Sequence, residues 1–317
     1  MTRIPLVEAW RLENTEGFIS TIYSDQERYF LLSRSRDTST SGSVYDISGT
    51  LLSQTQFDFR YEMFCTVNNP SGQQVYIATR SQTDLGQPAE LTNWVRFSID
   101  KSDHLQCHFI GERLPLPSGY YTGGDIVLNN GKTITIGGLY WNWYSIGPYA
   151  LSYYDGMSKA GYLVYYDSGE KIPFIVQGKH FHHDIRRLQW SPLGSYMAFQ
   201  KFDRLHIYIA SEHRSYKTDV ELRIGSPYSY RWFTDSTLFV SQSAQGCFLY
   251  HVPSGKKFHF KTPTSLTGVW WKNMFSLHNI TLEGLDPVNR MVFYHLNSPP
   301  EFRVYQFPSV DELLAFW

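Results

Sequence analysis

The sequence predicts an all-β protein built from a repeated hairpin, and three observations carry the prediction. Aromatic residues make up 17% of the chain, with 23 Tyr and 21 Phe, and flat side chains pack well on a pleated surface. Apolar and polar residues alternate over short runs, the period of a half-buried strand. Pairs of such runs flank tight polar turns at a roughly regular spacing, the mark of a repeat architecture.

Six hairpins carry the repeat: "FISTIYSDQERYFLLS", "MFCTVNNPSGQQVYIAT", "GDIVLNNGKTITIGG", "RRLQWSPLGSYMAFQ", "YSYRWFTDSTLFVSQ" and "TGVWWKNMFSLHN". Their turns open near Ser24, Asn68, Asn129, Ser191, Thr234 and Lys272, at intervals of 44, 61, 62, 43 and 38 residues. Three intervals match a four-stranded propeller blade of about 40–50 residues, and the two long ones read as a blade plus an insertion. Second hairpins follow, as in "GSVYDISGTLLSQTQF", "GYLVYYDSGEKIPFIV", "GCFLYHVPSGKKFHF" and "MVFYHLNSPPEFRVYQF". One such sheet cannot bury both faces alone, so stacked neighbours are required. The expectation is a single β-propeller domain over residues 1–317, with six blades starting near 17, 61, 121, 184, 227 and 266, seven blades being the alternative. The strand at 4–12, "IPLVEAWRL", belongs to none of the six and is expected to help close the ring by covering a free edge.

The segment from Gly178 onward resembles a blade of the WD-repeat β-propeller family through "WSPLG" in its first turn and Asp203 in its second. That resemblance implies a network of His, a strand hydroxyl, a turn Asp and a Trp. Here Lys179 separates Gly178 from His180, Phe199 and Gln200 stand where the hydroxyl belongs, and Tyr208 with Ile209 replaces the Trp-Asp pair. Only Asp203, with His180 or His183, carries over, so the resemblance extends to architecture alone.

Lys plus Arg number 28 against 29 Asp plus Glu, which gives no long-range attraction for a polyphosphate, so no nucleic-acid partner is expected. Cys65, Cys107 and Cys247 are odd in number and widely spaced, which fits reduced thiols better than a disulfide framework. Glu8, Arg11 and Glu13 interrupt the N-terminal segment where a signal peptide needs an apolar core, and no run approaches the ~18 apolar residues of a membrane span. A cytoplasmic protein without membrane insertion is expected, and the Asn279-Ile280-Thr281 sequon is then without use.

Four sets of residues bear on possible chemistry. His180, His182, His183 and Asp184 form the densest set of donors, but His182 and His183 point to opposite sides of an extended chain and no second cluster completes a site, so no metal is expected. "NNGKT" at 129–133 lacks the glycine spacing of a phosphate loop and reads as a hairpin turn with Asn-Gly at its centre. Asp25, Asp125, Asp184 and Asp235 lie near early strands of different units, where a dispersed active site would draw on them, but turns also select Asp. No nucleophile elbow, zincin or calcium loop is present, so neither catalytic residues nor a cofactor is expected.

The most informative segment is "GGLYWNWYSIGPYALSYYDGMSKAGY", which reads by position as a loop yet carries Tyr140, Trp141, Trp143, Tyr144, Tyr149, Tyr153 and Tyr154. Surface insertions are normally polar. Two readings stand: the segment forms its own small core, or it is a rigid aromatic platform for a partner or ligand. The expectation is a non-catalytic protein-interaction scaffold within a larger assembly, with those seven aromatics as its binding residues. The alternatives are a carbohydrate or small-ligand binder, aided by Asn142 and Asp155, and a hydrolase or lyase with a dispersed Asp/His site.

Overall fold

The computed structural model describes residues 4–13, 18–24, 27–34, 39–57, 59–69, 72–80, 93–122, 124–136, 144–155, 158, 160–176, 185–222, 230–242, 246–261, 280–297 and 300–308. These residues fold as strands grouped into seven four-stranded antiparallel sheets. The chain contacts divide into two compact units.

The first unit, residues 1–58, 98–106 and 223–317, holds three of the sheets. The first comprises β3 (Phe18–Ser24), β4 (Arg28–Arg34), β5 (Thr40–Asp46) and β6 (Leu51–Phe57) in consecutive order. The second comprises β23 (Tyr230–Thr234), β24 (Thr237–Gln242), β25 (Gly246–His251) and β26 (Lys256–Lys261), with the two-residue β1 (Ile4–Pro5) parallel to β26 at its edge. The third has β27 (Ile280–Asp286), β28 (Met291–Asn297) and β29 (Pro300–Gln306), and its fourth strand is the N-terminal β2 (Val7–Glu13), antiparallel to β29. The unassigned N-terminal strand thus completes the sheet formed by the C-terminal strands, covering the backbone edge that β29 would otherwise expose.

The second unit, residues 59–97 and 107–222, holds the remaining strands apart from residues 98–106, where one strand ends and the next begins. An eight-stranded sheet runs β10 (Leu105–Gly111), β9 (Asn93–Ile99), β8 (Gly72–Arg80), β7 (Arg60–Asn69), β15 (Tyr144–Ile146), β16 (Ala150–Asp155), β17 (Ala160–Tyr165), β18 (Lys171–Val176). A single parallel pair, Ile146 to Val67, joins its two halves of four. The other sheets are β11 (Leu114–Leu116) to β14 (Thr133–Thr135), through β12 (Gly119–Thr122) and β13 (Asp125–Leu128), and β19 (Ile185–Trp190), β20 (Tyr196–Lys201), β21 (Arg204–Ile209), β22 (Arg214–Glu221).

The sheets therefore number seven where six hairpins were counted, and the long intervals explain the difference. The Asn129 hairpin is the outer pair β13–β14 of its sheet, preceded by β11 and β12 of only three and four residues. Runs that short show no alternation to read. The aromatic segment, expected as a loop, supplies β15 and β16, the first two strands of a further sheet. The sheets thus begin at Phe18, Arg60, Leu114, Tyr144, Ile185, Tyr230 and Ile280. The last expected hairpin, 267–279, and the C-terminal 309–317 lie outside the described residues.

Burial falls along each sheet. Second strands are covered on both faces: Leu151 to Tyr154, Met197 to Gln200 and Leu238 to Val240 are buried without interruption. Fourth strands are less covered: β6 has no buried residue, and in β22 and β26 buried positions alternate with partly or fully exposed ones. In the first unit, Trp10 of β2 stacks on Tyr45 of β5 at 6.1 Å and packs near Tyr29, Phe293 and Phe302, while its indole Nε1 donates to the Ile47 carbonyl at 3.2 Å. The buried Tyr29 hydroxyl donates to Asp286 at 3.0 Å, and burial beside that carboxylate holds the phenol protonated. Phe239 against Phe307 at 5.2 Å joins the β23–β26 sheet to the β27–β29 sheet. Buried Cys247 belongs to the same core, and burial raises the half-buried Cys107 thiol to about 11.

Trp10→Ala removes the contact by which the N-terminal strand joins two sheets. We expect a loss of about 2–4 kcal/mol in urea unfolding, toward the lower part of the range for large aromatics because the ring is only partly buried. A loss under about 0.5 kcal/mol would show that β2 adds nothing to the unit.

Candidate functional site

A cleft of about 510 Å³ opens in the second unit, and its wall is made of turns from four hairpins. Pro117 and Ser118 come from the β11–β12 turn, Pro148 and Tyr149 from β15–β16, Tyr166 and Asp167 from β17–β18, and Gly194 from β19–β20. Ala210 and His213 border it from the one-turn 3-10 helix between β21 and β22, and Tyr165 and Trp190 end their strands there. The Asn129 turn lies on the same side, since Asn130 Nδ2 donates to the Asp167 carbonyl at 3.3 Å and Lys132 Nζ to the Ser168 carbonyl at 3.2 Å.

Each turn is fixed by its own sequence. Gly131 closes the β13–β14 hairpin at φ +83° with its N–H on the Leu128 carbonyl at 2.9 Å, a three-residue loop in which glycine alone takes the left-handed position. The β15–β16 turn closes with Gly147 N–H on the Ala150 carbonyl at 3.0 Å, and Tyr166 N–H then holds the Tyr149 carbonyl at 3.1 Å. In the β19–β20 turn the Ser191 hydroxyl accepts from Tyr196 N–H at 3.0 Å. Gly194 there has φ +79°, and an added methyl would stand 2.8 Å from Pro148 and 3.0 Å from Tyr149. The glycine is what allows Pro148 and Tyr149 to lie against this turn.

The aromatic candidates divide. Tyr144, Tyr153 and Tyr154 are buried strand residues at 9%, 4% and 6% exposure, the small-core reading of the segment, and Tyr149 at the turn is 61% exposed. Desolvation raises the Tyr153 phenol, with Lys171 opposing it. Tyr140, Trp141, Trp143 and Asn142 lie outside the described residues. The structure adds Tyr165, Tyr166, Asp167, Trp190 and His213, which sequence reasoning passed over as strand and turn residues. The repeated tripeptide Tyr-Tyr-Asp at 153–155 and 165–167 was the signal available.

At the edge of the cleft, the Tyr165 and Tyr208 hydroxyls share His213 Nδ1 at 3.4 and 3.2 Å, and lie 3.5 Å apart. His213 adopts the left-handed conformation, φ 48°, which carries its ring to this position. Burial raises the Tyr208 phenol strongly, so it stays protonated. The Trp190 ring meets Tyr208 edge-on at 6.3 Å, and its backbone N–H donates to Ser145 Oγ at 3.1 Å.

Among the described residues, no three of His, Cys, Asp and Glu gather around a point that could hold an ion. The His180, His182, His183, Asp184 cluster and Asp25 lie outside those residues. Asp125 accepts from Thr135 Oγ1 at 2.7 Å across its hairpin, and the exposed Asp203 carboxylate stands 3.9 Å from Arg204. Among the described residues no helix is long and apolar enough to cross a membrane. No protein-family model matches the chain, and no curated protein matches it, so the WD-repeat resemblance rests on turn spacing and architecture.

Gly194→Ala combines a left-handed backbone with a methyl against Pro148. We expect a loss of about 1–3 kcal/mol in urea unfolding, with Tyr149 displaced in its NMR signals. An unchanged midpoint would show that the turn and Tyr149 do not depend on each other.

Proposed function

We propose that the chain is a non-catalytic protein-interaction module, its seven sheets forming the blades of one β-propeller, and that the cleft beside Tyr149 receives the partner. The exposed ring of Tyr149, held between the Gly147 turn and Gly194, is the observation that carries the reading. Large rings fixed by a rigid scaffold supply contact area at low entropic cost. The neighbouring Leu193 is 66% exposed, which extends the apolar surface past the cleft. The floor is rigid, with Trp190 and Tyr166 at 5% and 3% exposure.

A catalytic reading draws less support, because the one histidine of the cleft is engaged by two phenols and the one carboxylate belongs to a turn. A saccharide reading draws on Asn142, which lies outside the described residues, and on Asp155, whose carboxylate accepts from Ser158 Oγ at 2.7 Å. An assembly component in the cytoplasm remains the expected setting.

A photo-crosslinking amino acid at position 149 identifies the partner, and Tyr149→Ala then measures its dependence. We expect binding to weaken by at least tenfold, a hot-spot loss of about 2 kcal/mol, with the unfolding midpoint unchanged. Tyr153→Ala is expected instead to destabilise the fold by about 3 kcal/mol or more. Full partner binding by Tyr149→Ala would overturn the reading.

A further inference from the structure

We propose that the cleft accepts the guanidinium of an arginine side chain presented by the partner, an inference that rests on the reading of the cleft as a partner surface. Charge decides the class of occupant. Asp167 carries the only formal charge among the lining residues when His213 is neutral, and among the described residues it forms no ion pair. Its Oδ1 accepts from Ser168 N–H at 2.7 Å, which orients the carboxylate without neutralising it.

Neither lysine near this turn is paired with the Asp167 carboxylate. Lys132 Nζ sits on the Ser168 carbonyl, and Lys171 Nζ lies 4.2 Å from the Tyr162 ring centroid and 5.5 Å from that of Tyr153. Several arginines elsewhere in the chain reach carboxylates: Arg28 to Asp103 at 2.7 Å, Arg204 to Glu221 at 2.5 Å, and Arg214 to Glu212 and Arg303 to Glu301 at 2.6 Å. Asp167 is a carboxylate of the same kind, and it lines the cleft together with the exposed Tyr149.

The exposed Tyr149 ring favours the same occupant. Aromatic faces attract cations through their quadrupole, and the chain uses this itself, with Arg113 4.7 Å over the Tyr120 ring. Guanidinium suits the site better than ammonium, because it is planar, stacks on rings, gives up water more readily and forks onto a carboxylate. A volume of about 510 Å³ exceeds what one side chain fills and lies in the range of ligand sites, so flanking peptide enters with it.

The test uses the full chain and four acetylated, amidated peptides of Ala-Ala-Xaa-Ala-Ala, where Xaa is arginine, citrulline, lysine or leucine, followed by heteronuclear NMR titration. We expect the arginine peptide to bind at least tenfold more tightly than its neutral isostere citrulline and more tightly than lysine, with shifts at Tyr149 and Trp190. Asp167→Asn should bring arginine down to citrulline, and Tyr149→Ala should weaken both peptides alike, with unfolding midpoints unchanged because both residues are exposed. Citrulline or leucine binding as well as arginine, lysine binding better, no peptide binding, or arginine binding indifferent to Asp167→Asn would each overturn the inference. Partner capture separates the two proposals. Capture lost in Tyr149→Ala but retained in Asp167→Asn keeps the partner surface and removes the arginine, whereas capture retained in both removes the two together.

Discussion

A sheet whose middle strand is apolar on both faces cannot stand alone, and the rest of this structure follows from that constraint. Leu151 to Tyr154 and Met197 to Gln200 are buried without alternation, so each sheet needs a neighbour on either side. Within the second unit one core joins Trp94, Leu114 and Leu151 of three successive sheets, and another joins Leu163 and Phe199 of the next pair. Within the first unit Trp10, Tyr29 and Phe293 do the same work. Outer strands lose that cover, and there the alternation returns.

That stacking also places the cleft. Hairpins of neighbouring sheets in the second unit bring their turns to one side, so residues distant in sequence, from Pro117 to His213, share one wall. A turn need satisfy only its own backbone, which leaves its side chains available. Tyr149 uses that freedom, because Gly147 closes the turn beneath it and Gly194 leaves room beside it. Tyr144 and Tyr153, directly paired in the ladder between β15 and β16, have no such freedom and fill the core.

The all-β class and most hairpins were legible in the sequence, because strands of five to seven residues with Gly, Asn or Ser in their turns leave a period to read. "RRLQWSPLGSYMAFQ" and "GCFLYHVPSGKKFHF" fall on β19–β20 and β25–β26. The first strands of the sheets at Leu114 and Tyr144 were not legible, since β11 and β15 have three residues each and β16, buried from Ala150 to Tyr154, shows no alternation. A polar expectation for loops made an aromatic segment look exceptional, whereas strand residues covered on both faces are ordinarily so. Tyr149 was among the candidates but for its ring alone; what distinguishes it from Tyr153 is the turn, which only pairing reveals. Asp167 and His213 were silent, because a turn carboxylate and a left-handed histidine carry no spacing signal.

The central claim is the division of this aromatic segment into a core and one displayed ring. Hydroxyl-radical footprinting of the native chain, read by mass spectrometry at each tyrosine, tests it directly. The account predicts rapid modification of Tyr149 and protection of Tyr144, Tyr153 and Tyr154 by about an order of magnitude, in keeping with their burial. Comparable rates at all four would contradict it, returning the segment to a surface loop and removing the rigid support on which the cleft depends.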